Sequence, residues 1–512
     1  MLKKKSGARM LHRRPAATAV HSHRRSDMSA CAIPEWRLAP MQRLLAFLVA
    51  CSNFFLALNT VGSAFVLPGG LSFRCGNNSS DDPCEVLRRG GCNRVEFEYS
   101  VVYGAHTAVN EFQLVCDRRW LAASCQCLAM VGLALGALAF GRVADRCGRR
   151  VALLWGAGVH AAGSLAAAAA PSAAVYAFAR LVTSLGAASA PSLDVLLVES
   201  LVPALRCADS AAVSLGFSLG AICAAWLTPT LSTWRSLHAL MLVYAAIVFA
   251  CTGLLPESPR WLLSHGRLED ARAAVRRTAR FNGLPRGKVQ LLVQGLGCEE
   301  GVAAPQQHVF QSWKLRSYTI FMWFHGAALG MSYYTSSLTS TEIGSRPQLD
   351  FSLLHIVELG CNLVGCAVVS RLPRRLSLTL LALALAAAHA LLALAAGRYA
   401  LHLASAVLVK GLVSSQVLLC MLHVQESYPT CVRALGVSAF QCVCWAAASL
   451  EPFARVALGR QLPVAYAVVL AAWAVVAPFL LPETLSASLD EREQRPPEGD
   501  DEPCQRDNVE RF

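Results

Sequence analysis

Charge is what this chain has least of. Asp, Glu, Lys and Arg together make up only 15% of its 512 residues, against about 25% in an ordinary soluble domain. Whole stretches carry none, among them Leu376–Ala396 and Val464–Leu481. Also missing are a GxxxxGK(S/T) loop and an HExxH pair, which removes support for nucleotide hydrolysis of that kind and for zinc proteolysis. What replaces charge is apolar surface: 55% of the residues are hydrophobic. They fall in blocks of about 18 or more, the length that crosses a bilayer as a helix. A cytosolic enzyme, a disordered chain and a small disulfide scaffold are thereby excluded. The chain reads as an all-α, multi-pass membrane protein with no enzymatic role, no cofactor and no metal.

Twelve spans are predicted, near residues 44–66, 121–141, 151–170, 174–197, 211–230, 237–255, 318–338, 351–370, 377–396, 401–423, 434–454 and 463–481. Basic residues set their orientation. The net charge is +13, and Lys3, Lys4, Lys5, Arg9, Arg13, Arg14, Arg24, Arg25, Arg37 and Arg43 all precede or open span one. Positive charge collects on the cytoplasmic side of membrane helices, so this run places the N-terminus inside and is not read as a nucleic-acid patch. Span one begins too late and runs too long for the apolar core of a cleaved signal peptide. The connection 67–120 then lies outside. The connection 256–317, with Arg260, Arg267, Arg272, Arg276, Arg277 and Arg280, lies inside.

The expected organisation follows. A basic cytoplasmic tail (1–43) precedes a six-helix half (44–255) that carries the extracellular loop 67–120. A cytoplasmic linker (256–317) leads to a second six-helix half (318–481) and an acidic cytoplasmic tail (482–512). Both termini are cytoplasmic and the plasma membrane is the expected location. Within the linker, Gly266–Gly283 has the spacing of an amphipathic helix whose arginines suit anionic lipid, or of a plain solvated connector. The outer loop holds Cys75, Cys84, Cys92 and Cys116, four candidates for disulfides with three possible connectivities. In the same loop Asn77 and Asn78 each open an Asn-x-Ser glycosylation triplet.

The chain also repeats itself. Leu254-Leu255-Pro256-Glu257-Ser258 ends span six and Leu480-Leu481-Pro482-Glu483-Thr484 ends span twelve. Glu199-Ser200 with Pro203 and Arg206 is matched by Glu426-Ser427 with Pro429 and Arg433. Asp145-Arg146-Cys147-Gly148-Arg149-Arg150 has a degraded counterpart in Ser370-Arg371-Leu372-Pro373-Arg374-Arg375. The offsets are 225, 226 and 227 residues. Two six-helix pseudo-repeats joined by a long inner loop are a transporter architecture, with a site near the midplane where the halves meet.

Gly141-Arg142-Val143-Ala144-Asp145-Arg146-Cys147-Gly148-Arg149-Arg150 resembles the signature loop of the major facilitator superfamily. Further motifs narrow the resemblance to solute carrier family 22, the organic cation and anion transporters. They are Leu114-Val115-Cys116-Asp117, Pro256-Glu257-Ser258-Pro259-Arg260-Trp261-Leu262, Tyr333-Tyr334, Glu426-Ser427-Tyr428-Pro429-Thr430 with Arg433, and Leu481-Pro482-Glu483-Thr484. It covers about residues 40 to 485 and leaves out the two charged tails. The resemblance implies a major facilitator fold and transport of small organic ions.

It also implies roles for particular residues. Gly141 and Gly148 permit a tight turn, and Asp145 is expected to pair across that turn and against the opposite half, holding an outward-open state. Arg146, Arg149 and Arg150 supply charge beside it. Glu199 with Arg206, Glu426 with Arg433, and Glu257, Arg260 and Glu483 are read as further gating groups. The plainer alternative is static surface ion pairs worth about 0–1 kcal/mol each.

Ionisable groups inside spans mark function by default. Here they are Arg180 and Asp194 in span four, Glu358 in span eight and Lys410 in span ten. His160, His325 and His389 are read as hydrogen-bonded within the bundle. Tyr333, Tyr334 and Trp323 offer aromatic faces to an organic ion. Arg180, Tyr333, Tyr334, Glu358 and Lys410 are the expected substrate-binding set, together with Trp445.

Trp445 is a departure. It occupies the position, counted from Arg433, where the resemblance leads one to expect an acidic residue in cation carriers and a basic one in anion carriers. The expected function is secondary transport of a small organic ion or solute by alternating access, with a coupling ion or an exchanged solute, in a lipid bilayer. The alternative is a transport-deficient, transporter-like receptor or scaffold, which Trp445 and the degraded Ser370 loop motivate.

Overall fold

The computed structural model describes residues 36–68, 73–74, 84–85, 96–97, 107–202, 205, 207–296, 313–340, 346–369, 372–395, 397–428 and 430–484. Cys75, Asn77, Asn78, Cys92, Arg206, Ser370 and most of both tails lie outside the described residues. The described part is almost entirely helical. Six long helices form the first half: α1 Pro40–Thr60, α2 Arg119–Cys147, α3 Arg149–Ala168, α4 Ala173–Ala187 resumed as Pro191–Ser200, α5 Cys207–Leu227 and α6 Trp234–Thr252. Six more form the second: α7 Trp313–Thr339, α8 Pro347–Val369, α9 Arg374–Leu394, α10 Tyr399–Ser427, α11 Thr430–Ala448 and α12 Leu462–Leu480. Nine of these segments are long and apolar enough to cross a membrane among the described residues. The other three, α7, α8 and α11, are 27, 23 and 19 residues long. Together they make the twelve spans of a major facilitator fold.

A helix that is apolar all round belongs in a bundle or in lipid, and the outer faces bear this out. Trp155 is 69% exposed, Leu394 81% and Phe479 84%, a surface that only hydrocarbon would cover without penalty.

The duplication seen in the sequence is also a duplication of packing. α1 lies on α5, while α4 packs against both α2 and α3, and α3 against α6. In the second half α7 lies on α11, while α10 packs against both α8 and α9, and α9 against α12. The halves meet symmetrically, α2 against α11 and α5 against α8. Small residues permit the close approaches. A Cβ on Gly216 would collide with the Ala50 backbone, and one on Gly330 with the backbone of Cys444.

Each half has its own apolar core, and a third cluster is shared between them. Val61, Phe65 and Met130 of the first half pack with Tyr334, Leu338 and Phe351 of the second. The Phe65 and Phe351 rings meet edge to face, 5.1 Å between centroids. These residues lie toward the ends of α1, α7 and α8 that face the 67–107 connection, hereafter the loop end. The opposite end, next to the 253–312 connection, is the linker end.

Two differences from the sequence expectation have local causes, and the expected linker helix is present. The fourth span breaks at Ala188–Ala190, where Pro191 opens a new helix, because proline has no N–H to continue the ladder. The span expected over 434–454 ends at Ala448, and Glu451–Leu458 forms a separate helix with Pro452 in its first turn. The linker helix runs from Leu268 to Phe281, with Ala271, Ala274, Val275, Thr278 and Ala279 buried. Val275 and Ala279 pack against Val289 and Val293 of the next helix, Arg286–Gly295. Its C-cap Asn282 accepts a hydrogen bond from the Met41 amide at 2.9 Å, tying the linker to the start of α1.

Candidate functional site

Glu358 lies midway along α8, and Lys410 is wholly buried on α10. Lys410 Nζ is 3.6 Å from Glu358 Oε2 and donates to Ser337 Oγ of α7 at 2.6 Å. It also sits over the Tyr333 ring, 3.4 Å from the centroid. Tyr333 Oη donates to Glu358 Oε1 at 2.7 Å, and His355 Nδ1 approaches Glu358 Oε2 at 2.6 Å. Three helices of the second half thus converge on one opposite-charge pair. Burying such a pair is costly unless its remaining lone pairs and protons find partners, and Tyr333, His355 and Ser337 supply those partners. The Phe217 ring of α5, from the first half, closes on Tyr333 at 6.2 Å.

In the first half Arg180, 1% exposed, donates to the Asn59 carbonyl at 3.0 Å. Asn59 Nδ2 in turn donates to Ser184 Oγ at 2.9 Å. Toward the loop end, Tyr334 Oη donates across the halves to Gln126 Oε1 at 2.6 Å, and Ser63 Oγ donates to the same oxygen at 2.7 Å. Trp226 Nε1 donates to Ser352 Oγ at 3.0 Å, a second bond between halves. Trp445 is partly buried against the shared apolar cluster that includes Tyr334.

The six residues expected to bind substrate therefore do not form one constellation. Tyr333, Glu358 and Lys410 are in direct contact. Tyr334 and Trp445 belong to the apolar cluster shared by the halves, and Arg180 stands on the first half. The histidines are hydrogen-bonded inside the bundle: His160 Nδ1 to the Thr183 carbonyl at 3.0 Å, His325 Nε2 to Gln416 at 3.1 Å, and His389 Nε2 to Ser332 at 2.8 Å.

At the linker end the repeated motifs build two matching clamps. Glu257 accepts from the backbone amides of Arg149 at 3.0 Å and Arg150 at 3.1 Å. Glu483 accepts from those of Arg374 at 2.8 Å and Arg375 at 3.2 Å. These are the first amides of α3 and α9, where a helix leaves its N–H groups without partners and its dipole favours an anion. Ser258 Oγ donates to Glu199, and Thr484 Oγ1 to Glu426 at 2.5 Å. Arg149 reaches Glu199 at 3.7 Å, and Arg374 reaches Glu426 at 3.3 Å.

Asp145 pairs with Arg149 of its own half at 3.2 Å. Arg146 is exposed, and Arg260 lies within electrostatic reach of Glu199. Gly148 has φ +106°, and a Cβ there would stand 2.5 Å from Glu257 Oε2. Gly141 lets α2 approach α11, a Cβ there standing 3.3 Å from Ser438 Oγ. Arg433 is in α11 with its side chain outside the described residues. In the loop, Cys84 is bonded to Cys116.

Sequence reasoning missed His355, Ser337 and Gln126. A signal existed for two of them. His355 stands one helical turn before Glu358, and Ser337 one turn after Tyr333, so each shares a face with a residue already singled out. Gln126 is a lone amide in an apolar helix, which in lipid needs a partner.

The family model described as sugar (and other) transporter matches residues 62–495. Solute carrier family 22 member 16 of Homo sapiens is 29% identical over 396 residues, which cover 75% of this chain and 68% of that protein. Solute carrier family 22 member 7 of Sus scrofa is 30% identical over 409 residues, covering 77% and 74%. Among solved structures, the major facilitator superfamily proton:xylose symporter XylE, bound to 6-bromo-6-deoxy-D-glucose, aligns with a TM-score of 0.62 at 17% identity. That alignment covers 88% of this chain and 98% of XylE.

Proposed function

The chain belongs to the sugar (and other) transporter family and, within it, to solute carrier family 22, a family of secondary transporters, and from that premise we propose that it carries small organic ions or solutes across a membrane by alternating access, with no enzymatic step. The observation that carries this reading is the buried Glu358–Lys410 pair under Tyr333, built from α7, α8 and α10 and closed by Phe217 of the other half. A charge pair inside a bundle is expensive to maintain and marks a solute pathway. A solute entering between the halves would exchange the pair's protein contacts for its own.

In this reading Glu358, Lys410 and Tyr333 hold the solute, Arg180 lines the opposite wall, and Trp445 and Tyr334 form the roof. The aromatic and hydrogen-bonded contacts at the loop end support a conformation closed on that side. The clamps around Glu257 and Glu483 make each half rigid at the linker end, so that the halves rock as bodies. The same reading takes residues 44–255 and 318–481 as the moving halves and 256–317 as their tether. It puts the loop end outside a plasma membrane and both termini in the cytoplasm, since basic residues cluster in 1–43 and in the linker. Glycosylation of Asn77 and Asn78 would fall on that outer loop.

The test is uptake of a mixed panel of organic cations, anions and zwitterions by cells that display the chain at their surface. Saturable uptake of any one supports the reading. A second reading, a transporter-like receptor without turnover, draws on Trp445 standing where a charge is expected; it survives only if no member of the panel is taken up.

A further inference from the structure

His355 stands where the halves meet. It lies on α8, which packs against α5 of the first half, and its ring is 6.4 Å from that of Phe217 on α5 and 4.6 Å from that of Phe351. One turn away, Ser352 takes the hydrogen bond from Trp226 of α5. The His355 side chain is 1% exposed. Its Nδ1 is bonded to Glu358 Oε2 at 2.6 Å, whereas Nε2 is buried and has no hydrogen-bond partner among the described residues. An ionised carboxylate only accepts, so Nδ1 carries the hydrogen and Nε2 is left with a lone pair. Native structures satisfy nearly all buried polar atoms, and an imidazole lone pair is satisfied by a proton.

The charges around the ring decide when that proton can be held. Lys410 of α10 and Glu358 are the charged groups that act on His355, and they cancel. Tyr333 of α7 donates its hydroxyl to Glu358 Oε1. From α5 the ring of Phe217 faces the imidazole; the titratable residues Cys207 and Asp209 open that helix, and Cys223 lies beyond Phe217. Asp350, earlier on α8, accepts from Tyr399 of α10. His355 and Lys410 thus share a single oxygen, Glu358 Oε2, at 2.6 and 3.6 Å. An anionic group that took Lys410 would leave the buried Glu358 without its counter-ion, which is costly. A proton on Nε2 removes that cost. The imidazolium then pairs with Glu358 while Lys410 pairs with the anion, two neutral pairs in place of one.

We propose that His355 is a proton site that loads together with an anionic group of the solute, so that this chain carries organic anions in company with a proton. One proton from the aqueous phase bonds to the Nε2 lone pair, and the Nδ1 hydrogen stays between the imidazolium and Glu358. Each binding event makes the other less costly, so the coupling is reciprocal. Parting of α5 from α8 lifts Phe217 off the ring and opens the path of Nε2 to water. The proposal rests on the transporter reading and adds to it the sign of the solute and the identity of the coupled ion.

The full-length protein in liposomes tests this, with uptake of the mixed panel measured at an outside pH of about 5.5 and about 7.5, either side of the ordinary histidine value. The panel includes benzenesulfonate, whose own charge does not titrate, and a trapped pH-sensitive dye reads the interior; protein-free liposomes give the background. The expected result is uptake of at least one organic anion that is roughly fivefold faster at the acid pH and that acidifies the interior. Glutamine keeps an N–H donor for Glu358 but takes no proton, so His355→Gln, whatever its absolute rate, should lose both the pH ratio and the proton flux. Solute uptake by the wild type at equal rates and without proton flux overturns the proposal alone, as does uptake of cations only, or a His355→Gln protein that keeps the wild-type pH ratio. If His355→Gln moves nothing, the wild-type proton flux still decides. A wild type that takes up no member of the panel removes the transporter reading and this proposal with it.

Discussion

Lys410 Nζ lies 3.6 Å from Glu358 Oε2, two opposite charges on α10 and α8 whose side chains are 0% and 4% exposed. Each is the condition for burying the other. Removing one partner of such a pair strands a charge, at a cost of about 3–5 kcal/mol, whereas removing both is far milder. Lys410→Ala should therefore lower the thermal midpoint of the purified protein more than Lys410→Met combined with Glu358→Gln. Thermal unfolding of the wild type and the two variants in detergent checks this, and equal loss in both variants would contradict a mutual pairing.

The two clamps should be interchangeable in energy. Glu257 and Glu483 each accept from two amides at a helix start, and hydrogen bonds to a charged group contribute about 1.5–3 kcal/mol. Glu257→Gln and Glu483→Gln should destabilise by similar amounts. They share no partners, so the double variant should lose the sum within about 0.5 kcal/mol. A double-variant cycle by thermal unfolding reads the coupling directly.

Gly148 and Gly397 both have positive φ, +106° and +87°, but only Gly148 has Glu257 against it. Alanine at either site is strained by at least about 1 kcal/mol. Gly148→Ala should cost more, because its Cβ also displaces the clamp carboxylate. Surface delivery and thermal midpoint should fall in the order wild type, Gly397→Ala, Gly148→Ala.

Tyr334→Phe removes the hydrogen bond to Gln126 that joins the halves near the loop end. One such bond is worth about 1 kcal/mol, a shift of roughly fivefold in a two-state population. The shift should favour opening on that side. Labelling of Ala221→Cys, a fully buried position in the shared cluster, by an impermeant maleimide should rise in the Tyr334→Phe background. An unchanged rate would show that the bond does not hold the seal.

The spans were legible because each is an apolar block of bilayer length, and the pseudo-repeat because both clamps keep Glu, Arg and a following Ser or Thr at fixed offsets. Helix ends were less legible. Hydropathy reports the lipid-facing stretch, whereas α7 begins at Trp313 and α10 runs on to Ser427, beyond it. Glu358 and Lys410 stood out as charges in apolar runs, but their pairing did not, since α7, α8 and α10 meet only in the folded bundle. Tyr333 and Tyr334 show the limit most clearly. Adjacent residues on a helix point about 100° apart, so one reaches Glu358 in its own half and the other Gln126 in the opposite half.

Uptake in cells tests the transporter reading most directly, with wild type, Lys410→Ala and Glu358→Gln matched for surface density and offered the same panel of organic cations, anions and zwitterions. The prediction is saturable uptake of at least one solute by the wild type and a loss of tenfold or more in both variants, about 1.4 kcal/mol or more. Variants that move every solute as well as wild type, or a surface-delivered wild type that moves none, would contradict it.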